Sequence, residues 1–145
     1  MSDQDLTRIA RDIVNSYNTA DWKLLKSILT PDALYNELGT QRQVKGPDQI
    51  VKTLQGWKQA MSDSDGKVTN VFVSGSNATL EITWQGTHDG PFTGPGGTLP
   101  ASGRRQTTSA AMVVKFQGDK VKEIHHYFDM MSFLQQIGAM SAARA

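Results

Sequence analysis

The chain has 145 residues, no cysteine and a formal net charge of +1, with 38% hydrophobic and 20% charged residues. That length suits one domain over residues 1–145 with a single core and therefore one pocket, and the absence of thiols excludes disulfides, thiolate nucleophiles and Cys-ligated metal or iron–sulfur centres. The fifteen Lys and Arg residues are scattered, with Arg104-Arg105 the only adjacent pair, so nucleic acid is not expected as a partner. No apolar run approaches the roughly 20 residues that span a bilayer, and the polar start from Met1 to Arg11 lacks the parts of a signal peptide. A cytoplasmic protein with no membrane partner is the expectation.

Leu6, Ile9, Ala10, Ile13, Val14 and Tyr17 recur at helical spacing, which predicts a first helix ending near Asn18-Thr19 with one apolar face. Asp21 suits the cap of a short second helix carrying Trp22, Leu25 and Ile28, stopped by Thr30-Pro31 because a residue before proline avoids the helical region. Ala33 to Leu38 reads as a strand. Pro47 suits the first turn of a third helix, whose apolar face is Ile50, Val51, Leu54, Trp57 and Met61.

Beyond Met61 the period changes to alternation. Val68, Val71 and Val73 mark one strand, Ser74 to Asn77 a turn, and Ala78 to Gly90 a second strand with Leu80, Ile82 and Trp84 on one face. Pro91 to Gly103, rich in Gly and Pro, reads as a long mobile connection covering a pocket mouth. Gln106 to Phe116 and Lys120 to Phe128 form a last hairpin, a short helix follows from Ser132 to Ile137, and the residues after Gly138 read as a frayed tail. Helices first and a strand meander after them make an α+β class.

Three segments, Gly86-Thr87-His88-Asp89-Gly90-Pro91-Phe92, Ser102-Gly103-Arg104-Arg105 and Glu123 to Asp129 running into Leu134-Gln135-Gln136-Ile137-Gly138, resemble in that order the SnoaL-like polyketide cyclases, also called ester cyclases, of the NTF2-like superfamily. Asn18-Thr19-Ala20-Asp21-Trp22 and the Gly46-Pro47 helix start extend the resemblance to about residues 3–138. It implies a cone: a strongly curved, mostly antiparallel sheet wrapped around N-terminal helices, as in ketosteroid isomerase, and a homodimer or homotetramer formed through the outer sheet face. It also implies an aspartate at the end of the last strand acting as general acid/base in an aldol ring closure, without metal or cofactor, and Asp129 is the matching residue. The chain departs from the family pattern in the enlarged loop Gly94 to Leu99 and in His125, where relatives often carry tryptophan.

A carbon acid beside a carbonyl needs a base and a donor for the enolate oxygen. Asp129, between Tyr127-Phe128 and Met130-Met131, is the candidate base; its competing role is to cap the last helix, although Ser132 with Gln135 already offers a capping pair. Alternation puts Glu123, His125, Tyr127 and Asp129 on one face and Lys122, Ile124, His126 and Phe128 on the other, so an inward Asp129 on an unbulged strand brings His125 inward and sends His126 out. His88 shares parity with Leu80, Ile82 and Trp84 and is expected to face inward, orienting a substrate or satisfied by the protein itself.

Arg104 is a candidate for a ligand carboxylate or phenolate, against a structural ion pair. Tyr17, Trp57, Trp84, Phe92, Met112 and Tyr127 are candidate pocket-wall residues binding a hydrophobic small molecule. His88, His125 and Asp129 show no helical ligand spacing, and no metal is expected. The reading is a cofactor-independent enzyme acting on a hydrophobic carbonyl compound by aldol cyclisation or enol isomerisation. The alternatives are a non-catalytic binding protein, and a hydroxylase or epoxide hydrolase with Glu123 and Asp129 as the nearby acid pair.

Overall fold

The computed structural model describes residues 1–140, so the tail expected after Gly138 lies, from residue 141 on, outside the described residues. In chain order the elements are α1 (Asp3–Asn18), α2 (Trp22–Ser27), β1 (Leu29–Glu37), β2 (Arg42–Lys45), α3 (Pro47–Ala60), β3 (Asp65–Ser74), β4 (Asn77–Thr87), β5 (Phe92–Gly94), β6 (Gly97–Leu99), β7 (Arg105–Gln117), β8 (Lys120–Phe128) and α4 (Met130–Gln136). Six strands form one sheet in the order β2-β1-β8-β7-β4-β3. Among the described residues only the β1–β8 pair is parallel, and the sheet order ends at β2 and β3 without closing. No helix among the described residues is long and apolar enough to cross a membrane.

The helices form where local signals agree. Ser2 and Asp5 exchange hydrogen bonds in a capping box that starts α1, and the apolar stripe from Leu6 to Tyr17 is buried against the sheet. Asp21 accepts from the Leu24 amide to start α2, and Pro47 opens α3 behind Gly46, whose φ of +90° favours glycine. The stripe joins Leu25, Tyr35, Ile50, Leu80, Val114 and Ile124 in one core cluster. Each large side chain withdrawn from water there contributes about 1.5–3 kcal/mol.

Two parts of the fold depart from the sequence-based expectation. Pro31 does not simply end a helix; α2 stops at Ser27 and β1 already runs through Thr30-Pro31 toward Glu37, with β2 paired beside it. The segment Pro91 to Gly103 contains the small hairpin β5–β6, and its Phe92 is 5% exposed and stacks on Trp57 with ring centroids 4.6 Å apart. The approach to this hairpin is tied down by the amides of Asp89 and Gly90, which both donate to the Ala60 carbonyl at the end of α3. A methyl group on Gly90 would overlap the Gln59 carbonyl, so the close approach requires glycine.

Candidate functional site

The inner face of the sheet, α1 and α3 enclose a cavity of about 70 Å³ with an overwhelmingly apolar wall. Space of that size holds a few water molecules or one small ring. Ile13, Val14, Leu54, Met112 and Ile124 supply aliphatic surface, while Tyr17, Trp57, Trp84, Phe128 and Phe133 supply rings. A second apolar cluster of Ala60, Met61, Phe92, Phe133 and Ile137 shares Met61 and Phe133 with that wall. Polar groups enter at Tyr35, Ser64, Gln106, Thr108 and His126.

One rung across the sheet aligns Val71, Leu80, Met112, His126, Glu37 and Arg42 through successive strand pairs. His126 therefore has Met112 on one side and Glu37 on the other, and its ring is buried at 7% exposure. The Trp84 indole Nε1 donates to His126 Nε2 at 3.2 Å, and His126 Nδ1 lies 2.8 Å from the Tyr35 hydroxyl. An indole N–H can only donate, so Nε2 carries the lone pair and Nδ1 the proton, which it gives to the Tyr35 oxygen. Tyr35 in turn donates to Glu37 Oε2 at 2.9 Å.

Glu37 is fully buried and is surrounded by donors. Besides Tyr35, it accepts from Trp57 Nε1 at 3.0 Å, Thr40 Oγ1 at 2.5 Å and Arg42 at 2.9 and 3.3 Å. Burial by itself would raise its pKa, but the Thr40 hydroxyl, the Arg42 charge and the Trp57 indole together hold it below the usual carboxylate range, so it stays an anion. Burial pushes the His126 pKa down to about 4 against the opposing pull of Glu37, which keeps the imidazole neutral at neutral pH. Burial also raises Tyr35 well above the ordinary phenol range and Tyr17 to about 12, so both keep their protons. The Tyr17 hydroxyl shares a 2.6 Å hydrogen bond with Ser64 Oγ, and Thr108 donates to Gln106 Oε1 at 2.6 Å.

The expected wall residues Tyr17, Trp57, Trp84 and Met112 do line the cavity. Phe92 reaches it only indirectly, through its stack on Trp57. The inward orientation expected of Asp129 and His125 is corrected. Asp129 is exposed and is the N-cap of α4, its Oδ1 accepting from the Ser132 amide at 3.0 Å. His125 lies on the outer face, bonded to Asn36 at 3.3 Å and Glu123 at 3.2 Å.

The physical reason is that Asp129 belongs to the cap of α4 and not to the strand, so its direction says nothing about the faces of β8. From Glu123 to Phe128 the alternation is unbroken, with Ile124 and His126 buried, and a bulge between Val121 and Glu123 brings Val121 onto the same buried face. Tyr127 is accordingly 48% exposed on the outer face, not in a pocket wall. Arg104 is exposed, and its guanidinium lies against Gly138 beyond α4, not in the cavity. Glu123 and Asp129, the acid pair that epoxide opening would need, both lie away from the cavity lining.

His88 is buried as its parity implies, yet it is not among the lining residues. Its Nδ1 accepts from the Ser102 amide at 3.2 Å and lies 3.0 Å from the Ser102 hydroxyl, which leaves the proton on Nε2, which has no partner among the described residues. Among the described residues no group of three or more His, Asp or Glu side chains converges as a metal site would require.

Tyr35, Glu37, Ser64, Gln106 and Thr108 were not anticipated. A signal for two of them was available: Ala33, Tyr35 and Glu37 alternate on one buried face, and a carboxylate ending such a row needs partners. Because Asp129 acts as a cap, Asp129→Ala is expected to cost about 1 kcal/mol of stability in urea denaturation and Asp129→Asn almost nothing, since asparagine caps as well as aspartate. A loss well above that range in either variant would show a role beyond the cap.

An open curved sheet around helices, enclosing an apolar hollow with a few internal hydrogen-bonded polar groups, defines an α+β cone of the ketosteroid isomerase-like kind. The sequence signature of the SnoaL-like polyketide cyclases matches residues 7–137, and the chain belongs to that family. No curated protein matches it. Among solved structures it is similar to a protein assigned to the SnoaL-like polyketide cyclases from Jannaschia sp. CCS1, at 19% identity and a TM-score of 0.85, covering 96% of each chain. TsrD from Streptomyces laurentii aligns at 19% identity and 0.82, covering 96% of this chain and 98% of that one. A protein with a ketosteroid isomerase-like fold from Catenulispora acidiphila, solved with trimethylamine, aligns at 16% and 0.76, covering 90% and 92%. At these identities the likeness to each structure is one of fold.

Proposed function

We propose that the protein is a cofactor-independent enzyme that moves protons on a small hydrophobic carbonyl compound, by aldol-type ring closure or enol isomerisation, with His126 as the acid/base group. The observation that supports this reading is a neutral imidazole whose lone pair lies in an apolar enclosure. A base kept unprotonated at neutral pH is available for every substrate molecule that binds, and its weakness is offset where the enolate is stabilised in place. On taking a proton at Nε2, the ring becomes a cation whose Nδ1–H still points at Tyr35, with the Glu37 anion directly behind. That arrangement favours the charged form during the reaction while burial disfavours it at rest.

The test needs no knowledge of the natural substrate. Small cyclic ketones such as cyclohexanone and 1-indanone in D₂O report enolisation as loss of the α-proton signal in NMR. The protein is expected to accelerate that exchange for at least one of them, and His126→Gln to lower the acceleration by at least about a hundredfold. No acceleration over buffer across the panel, or equal activity in the variant, would defeat the reading.

A second reading, a binding protein without chemistry, draws on the fact that Tyr17, Ser64, Gln106, Thr108 and His126 all find hydrogen-bond partners inside the protein. Ketone binding without exchange would favour it.

A further inference from the structure

The contact between Trp84 and His126 raises a question of access. Both side chains line the cavity, and the indole N–H occupies the one lone pair that could take a substrate proton. The two rings are not stacked; their centroids are 5.8 Å apart with planes inclined at 57°. The opposite side of His126 is committed to Tyr35 and through it to Glu37, so the Trp84 side is the one that faces a ligand.

A molecule that parts the pair leaves an N–H donor and a lone-pair acceptor, both in an apolar wall. Each carries a desolvation cost unless the newcomer satisfies it. A hydrocarbon satisfies neither and leaves the bond intact. An ether, an epoxide or a tertiary amide satisfies the indole but sets nothing against the lone pair. A group carrying an acceptor oxygen and, on the next atom but one, a transferable hydrogen satisfies both.

We infer that Trp84 and His126 together form a two-point recognition site for an H–X–C=O unit, in which the oxygen accepts from the Trp84 indole and the hydrogen on X meets His126 Nε2. With X as carbon, that unit is an enolisable ketone, thioester or β-dicarbonyl compound, and this assignment of substrate class rests on the proton-transfer reading above. The step is self-contained. The α-proton passes to Nε2, its bonding pair becomes the C=C π bond, and the carbonyl π pair moves to oxygen, where the Trp84 N–H holds the charge. Return of the proton from the imidazolium to a different carbon of a conjugated enolate completes isomerisation; in ring closure the enolate carbon attacks a second carbonyl of the same molecule, whose π pair becomes an alkoxide that takes the imidazolium proton. Opening the resting contact thus exposes the base and its oxyanion donor in one event.

Lactams with X as nitrogen are stable probes of the same geometry. Binding of 2-pyridone and of N-methyl-2-pyridone to the full chain would be followed by NMR on the indole N–H signals of the three tryptophans, Trp84 being assigned with Trp84→Phe. The expected result is binding of 2-pyridone at least about tenfold tighter than its N-methyl analogue, the value of one hydrogen bond in a dry site. Saturation should move the Trp84 indole signal, Trp84→Phe should weaken both lactams while keeping the preference for 2-pyridone, and His126→Leu should bring the two affinities together.

Equal affinity for the two lactams, saturation that leaves the Trp84 signal unmoved, or no binding of either up to their solubility would overturn the inference. If Trp84→Phe does not fold, Trp22→Phe and Trp57→Phe assign the third signal by elimination and the lactam pair still decides. Two-point binding of 2-pyridone in a protein that exchanges no ketone proton would remove the enzymatic reading and leave the recognition site standing.

Discussion

Glu37→Ala is expected to destabilise the protein by about 3–5 kcal/mol, the range found when one partner of a buried charge pair is removed. The substitution strands Tyr35, Trp57 and Thr40 donors and the Arg42 guanidinium at once. Arg42 is partly exposed and can turn to water; Tyr35 is 1% exposed and cannot. The loss comes mainly from donors left dry. Set against a typical total of about 5–15 kcal/mol, it is large enough to leave a measurable unfolded fraction at room temperature. Glu37→Gln keeps the volume and one carbonyl acceptor but turns an amide N–H₂ toward other donors, and an intermediate cost of about 1–3 kcal/mol follows. Urea denaturation at neutral pH measures both. A Glu37→Ala midpoint close to that of the parent would mean that the donors find other acceptors and that the buried network does not anchor the fold.

The second large effect is a loss of stability on mild acidification. An unfolded histidine takes its proton near pH 6.5, whereas folded His126 does so only near pH 4. Between those values the unfolded state binds a proton that the folded state refuses, so stability falls as pH drops from 6.5 toward 4, by about 3 kcal/mol for a shift of this size. His88, also lowered by burial although Asp89 opposes it, acts in the same direction.

Glu37 acts at lower pH. Its folded pKa lies below the reference value of 4.5, so its contribution is complete above that value and is lost as pH falls through the folded pKa. Denaturation midpoints taken from pH 7 to pH 4.5 should therefore slope downward in the parent and much less in His126→Gln, which cannot titrate. Identical slopes in the two proteins would show that His126 is not the group held neutral by burial.

The placement of His126 explains why the site was only half visible in advance. Alternation along β8 correctly separates two faces, and Ile124, His126 and Phe128 do share one. Which face turns inward was inferred from Asp129, a residue that belongs to the helix cap and not to the strand. A cap and a strand end are one residue apart in sequence and unrelated in orientation, so the inference had no physical anchor. The bulge opposite Lys115 and Phe116 lies before Glu123 and changes only the face of Val121, and nothing in the residue types around Lys122 announces it.

Wall residues fared better because apolar periodicity reports burial directly. Tyr17 ends the buried stripe of α1, Trp57 lies toward the end of α3, and Trp84 extends the row of Leu80 and Ile82. The ordered motifs from Gly86 to Gly138 carried the family, which the match over residues 7–137 shows. The local signals that fail are those whose meaning depends on a distant partner. Arg104 reads as a structural ion-pair residue more readily than as a ligand donor, yet its guanidinium lies over Gly138, while the neighbouring Arg105 reaches Asp63 and Thr87.

From its residues alone, then, this chain specifies an α+β class, the extent of most helices and strands, and an apolar interior shared by α1, α3 and the sheet. Those properties depend on spacing of three, four or two residues, which a linear string records. Only the tertiary structure decides that Glu37, Tyr35, His126 and Trp84, from three strands, form one hydrogen-bonded chain at a cavity wall. Contact between residues 37, 84 and 126 is set by strand order and pairing register, and neither leaves a mark on local periodicity.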